Sequence, residues 1–466
     1  MKKICIYLIM ILASVSFQSC EKFLDINTNP NAADEPPING LLANTTYNTA
    51  YNIFRTSDIT SYYSQYLASP NANGAADVYD NIDASTTYEG YYNVMTDLYD
   101  MKKFAAAKGL NAYIGVADIL MALHINMASN LWGDIPYTQA FLGVENLTPV
   151  LDNQESLMDT CLNLLDAGIA ALQQPDAAGE LDEKSDFIHA GTAAAWIKTA
   201  HALKARMLNQ LSKTSGYNET EILSELSQAY SSNNDDAQVS VFEVRNPWCS
   251  VAIANEGLNL DGFLSTYFVN AANGNTYGLF DPRLPYITDK TKFDDYRGTD
   301  NGKGRIGTGI DHEECYLVSD KWYSSPSSPL QIITYVETKF IEAEANFRNG
   351  DMQKAYDAYL AGIAANMNKI GVTAAATYIN DPIVSVGKDN LTLGLIMKEK
   401  YIACFLSPVT WDDLRRMDYN YKDFSLPDGA LLNTFIRRMN YPNDELSRNG
   451  NNIPEVSLTD HLWWDK

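Results

Sequence analysis

Residues 343–359 read AEANFRNGDMQKAYDAY and decide the fold, because they describe two helices joined by a tight turn. Gly350 and Asp351 interrupt a helical pattern of small and apolar residues that continues on both sides of them. Ala343 precedes Gly350 by seven residues, and Ala355 and Tyr359 are four residues apart and share one face of the second helix. The stretch therefore predicts a closely packed antiparallel helix pair.

The same spacing of small and aromatic residues is typical of the tetratricopeptide repeat, a helix pair that stacks on copies of itself. One pair cannot bury its own apolar face, so degenerate pairs are expected beside it. An ordinary helical hairpin without neighbouring repeats is the alternative. We predict an all-α fold, a tetratricopeptide-like helical superhelix with long loop insertions.

Helical periodicity recurs along most of the chain. Residues 96–131 predict two consecutive helices, and no stretch shows the strict alternation of a sheet protein. The further helical stretches are residues 155–172, 192–211, 219–230, 332–348, 352–367 and 391–405. Loops rich in Asn, Gly, Ser, Pro and Asp separate them, at residues 69–83, 231–240, 268–283, 294–311 and 323–329.

The charge of the chain excludes one class of partner. Among 466 residues, 34 Lys and Arg stand against 58 Asp and Glu, a formal net charge of −24 at pH 7. Such a chain, with no run of Lys or Arg, cannot neutralise phosphates, so no nucleic-acid partner is expected. The acidity also argues against binding an anionic lipid surface by charge, although it leaves a covalent lipid anchor open.

The first nineteen residues predict a cleaved secretory signal peptide. Lys2 and Lys3 precede the apolar run 4–15, which is too short to span a membrane. Ser19 stands directly before Cys20, an order that resembles the lipobox of bacterial lipoproteins. We predict removal of residues 1–19, lipidation of Cys20 as the membrane anchor, and a single helical domain over residues 20–466. The alternative is an ordinary signal peptide in which Cys20 is a chance neighbour.

Motifs for catalysis or cofactor binding are weak. Residues 302–307 fit G-x-G-x-x-G, but Asp-rich loop residues precede them where a strand is required, so a loop is favoured over a dinucleotide site. The five histidines show no ligand spacing, and His124 lies on an apolar helical stripe typical of a protein core. We expect no cofactor, no metal and no enzymatic activity. A glycosidase pair of carboxylates depends on spatial separation, which the sequence does not show.

Four cysteines follow Cys20: Cys161, Cys249, Cys315 and Cys404. They allow three pairings between which the sequence does not choose. Because a core of this size needs no disulfide scaffold, buried free thiols are the favoured interpretation.

Aromatic residues carry the positive signal for function, with 29 Tyr, 16 Phe and 7 Trp. Tyr and Trp combine a flat apolar face with a polar group, which suits sugar rings as well as helix packing. Those at helical spacing are assigned to the core: Tyr62, Tyr66, Tyr88, Tyr91, Tyr92 and Tyr99. Tyr79, Trp248, Trp322 and Tyr323 follow no helical period and are predicted to stack on a ligand. The alternative for each is a loop aromatic packed onto the body of the protein.

Seven segments resemble, in order, the signatures of the SusD/RagB family of surface nutrient-binding lipoproteins. They are residues 20–31, 130–137, 281–285, 335–345, 411–416, 438–442 and 463–464. The resemblance spans nearly the whole mature chain. It implies a helical fold with four tetratricopeptide-like pairs, attachment to the outer face of the outer membrane, and a lid role on a SusC-like TonB-dependent transporter. It also implies capture of a glycan or a peptide without catalysis.

The matching segments look like scaffold, so none is nominated for ligand binding. The predicted function is capture of oligosaccharides for import through the SusC-like transporter, with glycan favoured over peptide because of the loop aromatics. The alternatives are a peptide-binding member of the family and a tetratricopeptide scaffold that binds only proteins. A lipoprotein hydrolase, which would release product, is the remaining rival.

Overall fold

The computed structural model describes residues 36–175, 180–255, 260–308 and 311–466, and the fold comprises Ile38–Lys466. The predicted signal peptide and Cys20 lie outside the described residues. Within them the helices are α1 Ile38–Tyr63, α2 Ser85–Lys108, α3 Asn111–Trp132, α4 Gln154–Leu172, α5 Ala193–Gln210, α6 Glu219–Leu226, α7 Pro247–Ala254, α8 Thr266–Asn273, α9 Tyr335–Arg348, α10 Met352–Ile370, α11 Ala375–Ile379, α12 Leu393–Ala403, α13 Val409–Arg416 and α14 Asn443–Asn449.

Strands are short and few in the described ranges. They are β1 Leu67–Ala68, β2 Ala237–Val239, β3 Phe263–Leu264 and β4 Leu330–Ile333. The strands β1 and β3 pair antiparallel, as do β2 and β4, the latter with a register shift between Ala237 and Gln238. Two such ladders fasten loops to the helical body, and the all-α prediction is confirmed.

The helix pair predicted around residues 343–359 forms as α9 and α10. Gly350 turns the chain between them at φ +83°, a left-handed conformation that favours glycine. Asp351 then caps α10 by accepting a hydrogen bond from the Lys354 backbone N–H at 3.2 Å. Ala355 and Tyr359 of α10 are both buried, and α10 packs closely against α9.

The other helices stack in chain order. Helices α2 to α6 each pack against the next, and α6 then meets α9, so the helix pairs continue one into another. Of the described helices, α3 alone is long and apolar enough to cross a membrane, but its neighbours enclose almost all of it. It is a core helix, and His124 lies on it fully buried with Nδ1 2.8 Å from the Leu120 carbonyl oxygen.

Helix α1 is a core helix with a polar buried face. Its buried residues include Thr45, Thr49 and Thr56, whose hydroxyls donate to backbone carbonyls four residues earlier at 2.7–2.9 Å. The Thr56 hydroxyl also meets the Tyr91 hydroxyl at 2.5 Å. Bonding to the helix's own carbonyls lets these side chains be buried without unsatisfied polar groups.

Two further sequence predictions have clear outcomes. Tyr66 and Tyr91 are fully buried as predicted, but Tyr99 is 41% exposed and stacks on Phe141 with ring centroids 5.4 Å apart, so its assignment to the core is wrong. The four cysteines of the described residues, Cys161, Cys249, Cys315 and Cys404, are buried and form no disulfide with one another, which agrees with the favoured interpretation.

Ion pairs inside the core join segments that are distant in sequence. The carboxylate of Glu344 in α9 accepts two hydrogen bonds of 2.5 Å, from Nη1 and Nη2 of Arg416 in α13. Arg415 of the same helix donates to the Asn130 carbonyl oxygen at the end of α3, at 2.7 Å. The segments 130–137, 335–345 and 411–416 thus meet in one buried network, and they act as scaffold, as the sequence analysis expected.

Candidate functional site

A polar cavity of about 370 Å³ opens where the end of α1, helix α8 and two long loops meet. Amide, hydroxyl and carboxylate side chains dominate its wall, and the ring of Tyr267 is its aromatic surface. The polar cavity is lined by Gln65, Ser265, Thr266, Tyr267, Asn270, Asn275, Thr276, Asp300, Asn301, Lys303, Asp423, Ser425, Leu426, Pro427 and Asp428.

Helix α8 positions one wall. Ser265 caps the helix by accepting from the Tyr267 backbone N–H at 3.2 Å, and Gly274 ends it in a left-handed conformation at φ +95°. The turn that follows folds back, because Asn275 Nδ2 donates to Asn270 Oδ1 at 2.9 Å. A short capped helix therefore places the two amides of Asn270 and Asn275 side by side.

The loop at residues 299–305 forms the opposite wall and is held from beneath. Asn301 Nδ2 donates to Asp77 Oδ1 at 2.7 Å, and the Gly302 backbone N–H donates to Asp77 Oδ2 at 3.0 Å. The Asp428 backbone N–H in turn donates to the Asn301 carbonyl oxygen at 3.0 Å. Buried Asp77 thus holds the loop 299–305, which in turn holds Asp428, and residues 302–307 form a loop, as the sequence analysis favoured.

Asp77 should make stability depend on pH. Burial raises its pKa to about 6, although hydrogen bonds from Gly302, Asn301 and Ser69 oppose the shift. A carboxyl whose folded pKa lies above its unfolded value of about 3.9 stabilises the fold most below pH 4 and loses that contribution as the pH rises through about 6. The unfolding free energy of the wild type relative to Asp77→Asn should therefore fall by about 2 kcal/mol between pH 4 and pH 7.

Urea denaturation at both pH values measures this difference. Asp80→Asn, which removes an exposed carboxylate three residues away, is the control for the loss of a charge from this loop. A pH-independent difference for Asp77→Asn would contradict the assignment.

Charged groups at the mouth of the polar cavity are paired with one another. Lys303 Nζ lies 2.7 Å from Asp428 Oδ2 and 3.1 Å from Asp300 Oδ2, and all three side chains are at least 40% exposed. Burial opposes ionisation of Asp300, but hydrogen bonds from Thr266 and Lys303 outweigh it and lower its pKa. The mouth therefore presents oriented charged groups to solvent, each able to exchange a partner for a ligand hydroxyl.

Exposed aromatic rings lie on the chain segments next to those that line this cavity. Phe280 is 43% and Phe293 53% exposed, and the rings of Phe280 and Tyr296 have centroids 5.7 Å apart. We call Phe280, Phe293 and Tyr296 the aromatic rim. The backbone of Tyr296 is tied to α8 through Asn273, whose Nδ2 donates to the Tyr296 carbonyl oxygen at 3.1 Å and to Asn270 Oδ1 at 3.3 Å. One segment of the aromatic rim is thus hydrogen-bonded to the helix that forms a wall of the cavity.

The chemistry of the site favours binding of hydroxyl-rich molecules. Amides and carboxylates can each take two hydrogen bonds from neighbouring hydroxyls, and aromatic faces take the apolar C–H face of a sugar ring. Within the described residues no group of three or more His, Cys, Asp and Glu side chains is arranged to hold a metal ion.

Two of the predicted ligand residues lie in the core. Tyr79 is 1% exposed, with its ring 6.0 Å from that of Tyr63. Trp248 is 4% exposed in the first turn of α7 and packs edge-on against Phe54 at 4.8 Å. The expectation that these two rings are exposed is wrong, because each packs against an aromatic ring of α1.

The Trp322–Tyr323 pair stays together, with ring centroids 4.7 Å apart. Tyr323 is 8% exposed and packs against Phe405, so its predicted exposure is wrong as well. Trp322 is half-buried, with Lys369 Nζ 6.0 Å from its ring centroid. None of the four predicted aromatics lines the polar cavity, and a role in ligand binding stays a prediction for the accessible face of Trp322.

Sequence reasoning missed the side chains that line the cavity. The loops 268–283 and 294–311 were marked as insertions, and they contain Asn270, Asn275, Asp300 and Lys303 as well as Phe280 and Tyr296 of the aromatic rim. The segment 423–428 was not marked at all. The clustered Asn and Asp residues of these loops could have indicated a binding site, but the same residues are typical of turns, so the sequence does not distinguish the two.

A family model described as "Starch-binding associating with outer membrane" matches residues 30–442. The chain belongs to the SusD-like family. The family resemblance of the sequence segments is thereby confirmed, and the SusD-like chain is placed among binding proteins that associate with the outer membrane. A comparison with curated proteins finds no match.

Solved structures agree with the SusD-like fold. A chitin-binding SusD homolog from Flavobacterium johnsoniae superposes with a TM-score of 0.78 at 21% identity, over 92% of this chain and 98% of that one. A SusD homolog from Bacteroides fragilis gives 0.76 at 20% identity, over 93% and 100%. A SusD/RagB family protein from Bacteroides thetaiotaomicron gives 0.73 at 21% identity, over 92% and 99%. These similarities establish the fold.

Proposed function

We propose that the polar cavity and the aromatic rim bind an oligosaccharide at the cell surface. The observation that carries this proposal is the cluster of amide, hydroxyl and carboxylate side chains around the polar cavity, whose α8 wall is tied through Asn273 to the segment that carries Tyr296. Stacking on Phe280 or Phe293 would hold the ring, while Asn270, Asn275 and Asp300 would set its orientation. The description of the family as starch-binding and the chitin-binding neighbour support a glycan over a peptide.

The captured glycan is then handed to a SusC-like TonB-dependent transporter for import. This step rests on membership of the SusD-like family. Cys20, outside the described residues, is the proposed lipid anchor that keeps the protein on the outer face of the outer membrane. In Cys20→Ala we expect loss of palmitate labelling and release from the membrane fraction. A variant that is still labelled and still sediments with membranes would rule out this anchor.

The protein is proposed to bind without catalysis. Asp300 and Asp428 share Lys303 as an ion-pair partner at the mouth of the cavity, and hydrogen bonds from Thr266 and Lys303 lower the pKa of Asp300 despite its partial burial. A hydrolase needs one protonated and one ionised carboxyl across the scissile bond. Incubation with a bound glycan should release no shorter sugars, as chromatography of the products would show.

Titration calorimetry of the soluble domain with maltoheptaose and chitohexaose tests the site. Because the aromatic rim supplies the stacking face, Phe280→Ala should weaken binding of the glycan that binds by about tenfold. Phe280 is partly exposed, so the melting temperature should hardly change. Trp322→Ala is the matched comparison, and it should leave the affinity close to that of the wild type.

The opposite outcome for these two variants would assign the ligand to a different site. Loss of affinity in Trp322→Ala with wild-type binding in Phe280→Ala would place the ligand at the Trp322–Tyr323 pair. Binding of peptides and of no glycan in the same assay would favour the peptide-binding alternative, and binding of neither would favour a scaffold for proteins.

A further inference from the structure

A second cavity, of about 280 Å³, lies between α2, the loop 136–149 and α14. We call it the α14 pocket. Tyr88, Tyr92 and Glu89 of α2, Leu147 of the loop, and Glu445 and Arg448 of α14 line it. It shares no lining residue with the polar cavity.

One wall of the α14 pocket is aromatic and apolar. The rings of Tyr88 and Tyr92 have centroids 4.6 Å apart, inclined at 34°. Pro136 and Pro149 also line the pocket, and Leu147 at its edge is 75% exposed. An exposed Leu beside two tyrosine rings gives a flat apolar surface that the fold itself leaves uncovered.

The Tyr88 hydroxyl marks this pocket as incomplete. Tyr88 is 8% exposed, yet its hydroxyl donates no hydrogen bond in the described part of the chain. The neighbouring Tyr92 hydroxyl donates to the Pro136 carbonyl oxygen at 2.7 Å, so its proton is already used. Burial, and then the nearby Glu445 carboxylate, raise the pKa of Tyr88, and the Tyr92 hydroxyl beside it lowers that pKa in part. A buried hydroxyl without a partner destabilises a fold, and a ligand group would relieve that cost.

The charges around the pocket limit the ligand. Three carboxylate side chains line the pocket, those of Glu89, Asp444 and Glu445, and Arg448 is the one positively charged residue among its lining side chains. Arg448 Nη2 is 3.5 Å from Asp444 Oδ2. Asn449 Nδ2 orients Glu445 by donating to its Oε1 at 2.8 Å. The excess of carboxylates repels acidic ligands and offers acceptors to hydroxyl donors.

We propose that the α14 pocket is a second sugar-binding site, which takes a neutral sugar ring of the glycan that the polar cavity captures. The ring stacks on Tyr92, one sugar hydroxyl bonds to the Tyr88 hydroxyl, and another donates to Glu445. This inference rests on the proposed function for the nature of its ligand. Two sites on one chain would raise the strength of binding to a polymer without new contacts at either site.

Hydrogen exchange of the full mature chain, with maltoheptaose, chitohexaose or tri-galacturonic acid, locates both sites. A neutral glycan should slow exchange in peptides covering residues 85–92 and 443–449 as well as 265–276. In Tyr88→Phe, which removes one oxygen, protection of residues 85–92 should need about fivefold more glycan, while protection of residues 265–276 is unchanged. The acidic trisaccharide should protect neither 85–92 nor 443–449.

Melting temperatures separate a ligand group from a structural one. Tyr88→Phe should not lower the melting temperature, because its hydroxyl has no partner to lose, whereas Tyr92→Phe should lower it through loss of the bond to Pro136. A lowered melting temperature for Tyr88→Phe would overturn the argument from the unpaired hydroxyl.

The outcomes distinguish the second site from the first. Protection of residues 265–276 without protection of 85–92 would overturn the second site and leave the proposed function intact. Protection of 85–92 alone would support the α14 pocket and remove the polar cavity as the capture site. Protection of neither region by either neutral glycan would overturn both, and protection of 85–92 by the acidic trisaccharide would overturn the charge argument.

Discussion

Glu344→Ala is expected to lower the free energy of unfolding by about 3–5 kcal/mol. Glu344 is fully buried and receives two hydrogen bonds from Arg416, one from Arg348 at 2.9 Å and one from Asn209 at 3.1 Å. Burial opposes ionisation, but Arg416 outweighs it and lowers the pKa of Glu344 to about 2. Without the carboxylate, the Arg416 guanidinium is left buried with only Asp413 as an ionised partner.

Glu342→Ala on the same helix is the matched control. Glu342 is 31% exposed and pairs only with Lys339, three residues away, so its loss should cost less than about 1 kcal/mol. Urea denaturation at pH 7 measures both variants. Equal losses would show that the buried network contributes no more than a surface ion pair, contrary to the argument from burial.

Gly302→Ala is expected to cost about 3 kcal/mol or more and to weaken any ligand of the polar cavity at least tenfold. Gly302 has φ +87°, and a Cβ at this position would lie 1.9 Å from the Asp428 carbonyl oxygen. That oxygen belongs to the backbone, so the loop 423–428 must move away from the loop 299–305. Both loops line the cavity, and the loss of stability and of affinity therefore have one cause.

Gly307→Ala provides the control within the same loop. A Cβ there would also meet an atom at 1.9 Å, but its three nearest atoms, Oε2, Cδ and, at 2.7 Å, Cβ, all belong to the Glu313 side chain, and none is a backbone atom of another loop. We expect a smaller loss of melting temperature and of affinity for Gly307→Ala than for Gly302→Ala. Similar behaviour of the two variants would count against the close backbone contact at Gly302.

Periodic apolar helices could be predicted from the sequence with few errors. Residues 96–131 fall on α2 and α3, and the pair around Gly350 falls on α9 and α10. Such helices can be predicted because an apolar face repeats at a fixed spacing within one continuous segment. Helix α1 carries no such signature. Its buried face is built of Thr, Asn and Ser, which become acceptable in a core only once their hydroxyls bond to the helix carbonyls.

The candidate site was predictable only at the level of loops. Sequence reasoning used lack of periodicity as a sign of exposure, and this failed for Tyr79, Trp248 and Tyr323 because a loop can fold its aromatic residues into the core. Phe280 and Phe293, which are exposed, lie in equally non-periodic loops and were passed over. Local sequence does not tell which face of a loop will meet the body of the protein.

The sequence by itself determined the helical class, the turn at Gly350, the small residues of the α9–α10 contact and the family, since these depend on residues close together in the chain or on motifs in a fixed order. The tertiary structure alone decided which polar residues surround a cavity. Asn270, Asn301 and Asp428 come from three separate segments, and Asp77 from a fourth holds Asn301, which accepts from the Asp428 backbone N–H. Such a site is made by long-range hydrogen bonds, and no spacing within one segment encodes them.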